Sequence, residues 1–381
     1  MKEGWEIKTI DEICEIHNGA TPLRRKKENW NNGIVNWFTI NDIRNQGREI
    51  NFTSQKISKI GFVSSSLKLL PKNTVLLCCT ASVGEYAITN IELTTNQQFN
   101  GLIVKDAQQI FPKYLFYFTS TLKEKLLHLS GKTTIDFVSM TKLKKIQIPF
   151  PSLNDQKKIV KKLDESFEKI DKAIENTKKN IENTKELFQS KLNKVFSQNT
   201  EGFKKKFLNQ VCENLDNKRI PITKNKRISG KTPYYGASGI VDYVNGYIFN
   251  EDLLLVSEDG ANLLARKYPI AFSVKGKTWV NNHAHVLKFE NIISQFFIEY
   301  YLNYINLESF ISGMAQPKLN QKKLNSIPVP YPNIEKQQEI VEVLDKLSDY
   351  TKKLESRYNQ KLLDLEELKK SILDKAFKGE L

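Results

Sequence analysis

The side chains best equipped for chemistry are cations and amides grouped in short, loop-like stretches. Thr21-Pro22-Leu23 runs into Arg24, Arg25, Lys26 and Lys27, and Arg44 follows a Trp-containing β-type run. Further on, Lys226, Arg227 and Lys231 precede Tyr234-Tyr235, while Arg266-Lys267 and Lys277 flank β-type runs. Arg and Lys meet phosphate oxygens, whereas Arg, Asn and Gln reach base edges. On that chemistry Asn96, Gln97, Gln98, Asn281 and Asn282 are candidate readers of bases. The competing reading is that these amides stabilise turns inside the fold.

Catalytic signatures are missing. The chain has no Asn-Pro-Pro-aromatic loop to hold a flipped adenine, no Gly-x-Ser-x-Gly and no clear nuclease carboxylate cluster. Gly131-Lys132-Thr133 resembles the end of a phosphate-binding loop, but the glycine required five positions earlier is Leu126. His283 and His285 flank Ala284, yet neither an acidic residue nor a cysteine stands at a ligand-like spacing from them. They read as polar residues of a strand or turn, so no metal is expected. The four cysteines form no CxxC pair. Cys14 and Cys212 sit beside apolar residues and read as small core positions.

These groups need a framework, and the framework is written twice. Pro149-Phe150-Pro151-Ser152-Leu153 leads into Gln156, Ile159-Val160 and Leu163-Asp164. Pro330-Tyr331-Pro332-Asn333-Ile334 leads into Gln337, Ile340-Val341 and Leu344-Asp345, at a shift of 181 residues. The shift persists to Ser190, Leu192, Lys194 and Phe196 against Ser371, Leu373, Lys375 and Phe377. Near the starts of the halves, Cys14-Glu15 matches Cys212-Glu213 at a shift of 198, so the second globular segment is 17 residues shorter. The repeat therefore comprises a whole domain plus a helix, present twice. It divides the chain into domains at 1–150 and 201–329 and helices at 151–200 and 330–381.

The first helix carries apolar residues seven apart at Leu153, Val160, Phe167, Ile174, Ile181, Phe188 and Val195. Leu163, Ile170, Thr177 and Thr184 fill a second seam position. The other stripe runs Ile340, Leu344, Leu347, Thr351, Leu354, Tyr358, Leu365, Leu368, Ile372, with a break at Lys361. Both are coiled-coil patterns. Each helix spans on the order of 65 Å, which outreaches a neighbouring domain, so antiparallel pairing as a spacer about an approximate two-fold axis is expected. The prolines stop each helix propagating backwards, and Asn154-Asp155 and Asn333 offer capping groups. The globular segments mix short β-type runs with helical stretches at Pro112–Leu129 and Phe296–Phe310, which points to α/β (α+β) domains with antiparallel or mixed sheets.

The net charge is +15, and most of it lies outside the helices. Residues 1–151 carry +7 and 197–332 carry +6, against +3 and −1 for the helices. A basic surface on folded domains suits a polyanion, although an AT-rich genome also enriches Lys and Asn. No signal peptide and no long apolar run is evident, so a soluble, reduced, cytoplasmic chain without a membrane partner is expected.

Several motifs together resemble the specificity (S) subunit of type I DNA restriction-modification enzymes. They include Trp5-Glu6-Ile7-Lys8-Thr9-Ile10, Asn36-Trp37-Phe38-Thr39-Ile40, Thr95-Asn96-Gln97-Gln98-Phe99 and Tyr234-Tyr235-Gly236-Ala237-Ser238-Gly239. The twice-used Pro-x-Pro then Gln-x-x-Ile-Val entry is the strongest mark. The resemblance covers essentially the whole chain. It implies two target recognition domains, each reading half of a bipartite double-stranded DNA site, on a spacer that docks two methyltransferase subunits. Restriction (motor-nuclease) subunits can join that assembly. It further implies a non-catalytic chain binding no cofactor, with S-adenosylmethionine, and ATP with Mg, on the partners. A coiled-coil scaffold whose basic heads bind nucleic acid without sequence preference remains the alternative.

Overall fold

The computed structural model describes residues 3–130, 136–198, 200–313 and 315–381. Gly131-Lys132-Thr133 lies outside the described residues. The chain forms two compact units, Met1–Thr177 with Gln360–Leu381, and Lys178–Asn359. Each unit is one head plus the start of one long helix and the end of the other.

The first head is built on a five-stranded sheet in the order Cys14–Asn18, Phe99–Val104, Val75–Cys78, Tyr86–Thr89, Glu49–Ile50. Only the last pairing is parallel. A second sheet places Val35–Phe38 between Gln55–Ile57 and Thr94–Thr95. The second head repeats this plan. Its first sheet runs Glu213–Asn214, Ala284–Lys288, Leu253–Ser257, Ala271–Val274, all antiparallel. Its second runs Gly239–Val244, Ser229–Gly236, Lys277–Val280, Phe249–Asn250. In both heads an antiparallel ribbon leads into the long helix, Glu6–Thr9 with Gln147–Phe150 and Lys204–Phe207 with Pro328–Tyr331. The α/β heads expected from the sequence are therefore present twice.

The central strands explain their unbroken apolar runs. Alternate side chains of a strand point to opposite faces. Val75 and Leu77 enter one core while Leu76 and Cys78 enter another. Leu254 and Val256 likewise part from Leu253 and Leu255. Both faces are covered, so no polar alternation survives. Cys14 is buried and Cys212 half-buried, and burial pushes their thiols, and that of Cys79, up to about 12.

The stretch expected as one helix over 112–129 is two, Pro112–Ser120 and Lys123–Ser130. Thr119, Ser120 and Thr121 hydroxyls donate to the carbonyls of Phe116, Tyr117 and Phe118. Such back-bonding competes with helix propagation. Its counterpart in the second head runs Ile292–Tyr304.

The first long helix spans Leu153–Asn193 and ends in a wider turn, Lys194–Gln198, and the second spans Ile334–Lys378. The repeated glutamines explain the repeated entry motif. Gln156 donates to Pro151 O at 2.9 Å and accepts from Phe111 N at 2.8 Å. Gln337 donates to Pro332 O at 2.9 Å and accepts from Ser294 Oγ at 2.8 Å. Ser152, rather than Asn154-Asp155, caps the first helix by accepting from Asp155 N at 3.2 Å, and Asn333 caps the second by accepting from Lys336 N at 3.1 Å. The repeated aspartates accept from tyrosines of their own heads, Tyr117 to Asp164 and Tyr300 to Asp345.

Within the first unit, Ala376 and Phe377 at the end of the second helix pack with Ile159, Val160 and Leu163 at the start of the first. Within the second unit, Leu192, Val195 and Phe196 pack with Ile340, Val341 and Leu344. Start against end means antiparallel pairing in both units. The seam differs in detail from the heptad reading. Leu163, Ile170, Thr177 and Thr184 are its buried line, while Leu153, Phe167, Ile174 and Ile181 are half-buried flanks. The buried threonines are tolerated because Thr177 and Thr184 donate to Ala173 O and Asn180 O one turn back, each at 2.7 Å. On the second helix Ile340, Leu344 and Thr351 are buried, and Leu347, Leu354 and Leu365 are half-buried. Leu368, expected in the stripe, is 46% exposed. After the break at Lys361 the helical phase puts Lys369 there instead, paired with Asp171 and 5.4 Å from the Phe167 ring centroid.

Candidate nucleic-acid interface

In the first head the chain leaving strand Cys14–Asn18 ties the two sheets together at Gly19 and Ala20. Gly19 N donates to Phe99 O and Ala20 N to Thr95 O, while Ala20 O accepts from Trp37 Nε1 at 3.0 Å. A Cβ on Gly19 would fall 2.2 Å from Asn96 O, so only glycine allows this approach. Arg24 lies over Trp30 at 3.8 Å and donates to Gln55 Oε1 at 3.0 Å, so its guanidinium is held by a cation–π contact. Arg25, Lys26 and Lys27 are exposed, and Lys26 reaches Glu28 only at 3.7 Å. Arg44 is exposed and donates to Asn41 Oδ1 at 3.3 Å. Asn96 is buried, Gln98 half-buried and Gln97 exposed, with its Oε1 accepting from the Thr21 hydroxyl.

In the second head Lys226, Lys231, Lys267, Lys277 and Asn282 are exposed. The Lys277 ammonium stands 4.9 Å from the Tyr247 ring centroid. Two of the arginines singled out from the sequence are engaged in the fold itself. Arg227 pairs with Asp242 at 3.1 Å, donates to Ile222 O and covers the Tyr234 ring at 4.4 Å. That hydrogen bond holds the Asp242 carboxyl below the usual range. Arg266 donates to Leu302 O at 3.2 Å and Ile305 O at 2.7 Å, satisfying carbonyls at the end of helix Ile292–Tyr304. Burial lowers its pKa. Asn281 is buried.

One constellation escaped the sequence reading. His285 Nδ1 lies 2.6 Å from Asp216 Oδ2 and its Nε2 lies 2.7 Å from Leu319 O. Arg219 Nη1 donates to Glu258 at 2.7 Å, and Lys318 reaches the same carboxylate at 3.2 Å. His285 does have acidic neighbours, but Asp216 lies 69 residues away in sequence. Ligand atoms of Asp216, Glu258 and His285 lie within 4.8 Å of one another. The chemistry still disfavours a cation: Arg219 and Lys318 already balance the two carboxylates, and both His285 nitrogens are engaged by protein groups. His283 is separate, at 2.8 Å from Asp259. Burial opposes the Asp216 charge, but hydrogen bonds from His285 and Val286 N–H and the nearby Arg219 outweigh it, so its pKa is lowered. A depressed carboxyl stabilises the fold fully above its unfolded value of about 3.9 and loses that contribution as pH falls through the folded value. Acid titration followed by hydrogen exchange is expected to show this loss below about pH 4, removed in Asp216→Asn.

Comparison with known proteins places this architecture. The type I restriction modification DNA specificity domain matches residues 2–183 and again 200–364. The chain belongs to that specificity family. It is 31% identical over 368 residues to the type I restriction enzyme EcoprrI specificity subunit of Escherichia coli, spanning 92% of this chain and 90% of that one. A putative specificity subunit of Haemophilus influenzae, S.HindORF215P, is 36% identical over 183 residues, 43% of this chain and 47% of that protein. Among solved structures, a chain from work on complex assembly and conformational transition of the type I R-M system superposes with a TM-score of 0.81 at 19% identity, covering 100% of this chain and 99% of its own. The HsdS subunit of Thermoanaerobacter tengcongensis gives 0.65 at 19% identity, with 100% and 98% covered. This specificity subunit thus has two target recognition domains, the two heads described above. Of its candidate contacts, Arg25, Lys27, Gln97, Lys226, Lys231 and Asn282 face outward, whereas Arg227, Arg266, Asn96 and Asn281 are built into the fold. Among the described residues no helix is long and apolar enough to cross a membrane.

Proposed function

We propose that each head of this specificity subunit reads one half of a bipartite double-stranded DNA site, while the paired helices fix the gap and dock two methyltransferase subunits. The observation carrying this reading is that one head architecture occurs twice with different outward residues, Gln97 where the other head has Asn282. A shared frame with unshared contacts suits unlike half-sites. The excess positive charge of both heads suits the phosphate backbone. The chain itself is non-catalytic and works in the cytoplasm. S-adenosylmethionine serves the methyltransferase partners, and ATP with Mg serves motor-nuclease subunits where these join.

Mapping N6-methyladenine genome-wide, with and without this gene, is the direct test. One split motif is expected to vanish with the gene. Removing one matched heptad from both helices is expected to keep both half-sites and change the gap between them. An unaltered methylome would sink the proposal. Equal binding of mixed-sequence competitors would favour a non-specific scaffold, since a sequence reader discriminates on the order of a thousandfold or more.

A further inference from the structure

The two heads share one turn, and it bridges their two sheets. In the first head it links Thr94–Thr95, parallel to Val35–Phe38, to Phe99–Val104. In the second it links Lys277–Val280, parallel to Ser229–Gly236, to Ala284–Lys288. The backbone of the turn is held identically. Asn96 N donates to Phe38 O at 3.1 Å, and Asn281 N donates to Tyr235 O at 3.0 Å. Gln98 O accepts from Cys79 N, and His283 O accepts from Glu258 N, both at 2.9 Å. The first asparagine closes the turn on itself in each case: Asn96 Oδ1 accepts from Gln98 N at 3.1 Å, and Asn281 Oδ1 accepts from His283 N at 2.8 Å. These asparagines are only 8% and 6% exposed. The residue that follows, Gln97 or Asn282, faces solvent.

We propose that Gln97 and Asn282 are the base-reading residues of this turn, each specifying one base pair in the half-site of its own head. The inference rests on the DNA-reading function proposed above and narrows it to one amide per head. A turn anchored on both limbs presents its tip with little conformational freedom, which is what sequence readout requires. Among the described residues the Asn282 amide has no hydrogen-bond partner, so donor and acceptor are both available for the N7 and N6 edge of adenine. Gln97 differs because Thr21 already donates to its Oε1. That contact occupies the oxygen and, among the described residues, leaves the NH2 of this exposed side chain without a protein acceptor, so it can present donors to a base acceptor such as a purine N7 or guanine O6. Thr21 is a positioning residue here.

The test is methylation mapping in cells expressing the complete complex with wild-type subunit, Gln97→Ala, Asn282→Ala or Asn282→Asp. Each alanine variant is expected to relax one base position, in a different half-site for each head, with discrimination there falling roughly ten- to a hundredfold. Asn282→Asp keeps the shape of the side chain but only accepts hydrogen bonds, so its preference at that position should shift away from adenine. Thr21→Val should weaken preference at the Gln97 position while leaving that of Asn282 intact. A wild-type motif with unchanged preference at every position in all variants would overturn this inference and leave the two-headed reader standing. If the wild-type subunit itself directs no split motif, the broader function fails instead. Melting of the purified variants alongside wild type separates lost reading from lost folding, since both side chains are exposed and neither change should lower Tm.

Discussion

Phe377→Ala is expected to destabilise the first unit, and Phe196→Ala the second, each by about 3–5 kcal/mol. The two phenylalanines are equivalent in the repeat, 181 positions apart. Phe377 packs on Tyr114 and Phe118 of the first head, with ring centroids at 5.2 and 5.4 Å. Phe196 packs on Phe297, Tyr301 and Tyr304, at 5.4, 5.3 and 5.6 Å. Each ring therefore closes the head other than the one its own helix directly follows. Truncation removes both the buried area and several aromatic contacts, and the backbone of two anchored helices has little room to collapse into the gap. Hydrogen exchange resolved by peptide reads the outcome. Phe377→Ala should speed exchange in Pro112–Ser120 and Val75–Cys78, and Phe196→Ala in Ile292–Tyr304 and Leu253–Ser257. Equal acceleration of both heads by either variant would contradict this placement of the helix ends.

Arg219→Ala is expected to cost the second unit a similar 3–5 kcal/mol, for an electrostatic reason. The Arg219 side chain is 14% exposed, and the carboxylates of Asp216 and Glu258 beside it are 5% and 12% exposed. Arg219 also donates to Ala284 O at 2.8 Å, so its loss strips a strand carbonyl as well as two buried anions. Glu258 keeps Lys318 and Asp216 keeps His285, but both are left short of charge in a water-poor site. Arg219→Lys should recover part of the loss, because an ammonium restores charge without the guanidinium's several donors. Thermal unfolding of the purified subunit, with exchange in Ala284–Lys288 as the local readout, measures it. A loss below about 1 kcal/mol, the range of an exposed pair, would show that the network is ornamental.

Features that repeat or alternate along the chain are legible in the sequence itself. The duplicated Pro-x-Pro entry, the seam positions and the apolar central strands are local patterns, and a helix or strand of given period imposes its face wherever it sits. The pairing direction followed from length and repetition, and the structure shows it in both units. Finer placement did not follow. Leu368 and Lys369 differ by one residue, and only the phase of the helix after Lys361 decides which meets Phe167.

The sequence by itself determined that this protein is two copies of a head and a helix, basic in its heads and without a recognisable catalytic loop. Only the tertiary structure decided which cations and amides are available to a ligand. Arg25 and Arg266 look alike in a basic run, yet one faces solvent and the other satisfies carbonyls at a helix end 36 residues later. Asn281 and Asn282 are neighbours, yet one closes a turn and the other is presented by it. His285 meets Asp216 only because two strands pair across 69 residues of chain. The physical reason is common to all three: a side chain's type sets which bonds it can make, but long-range packing sets whether protein or solvent stands opposite.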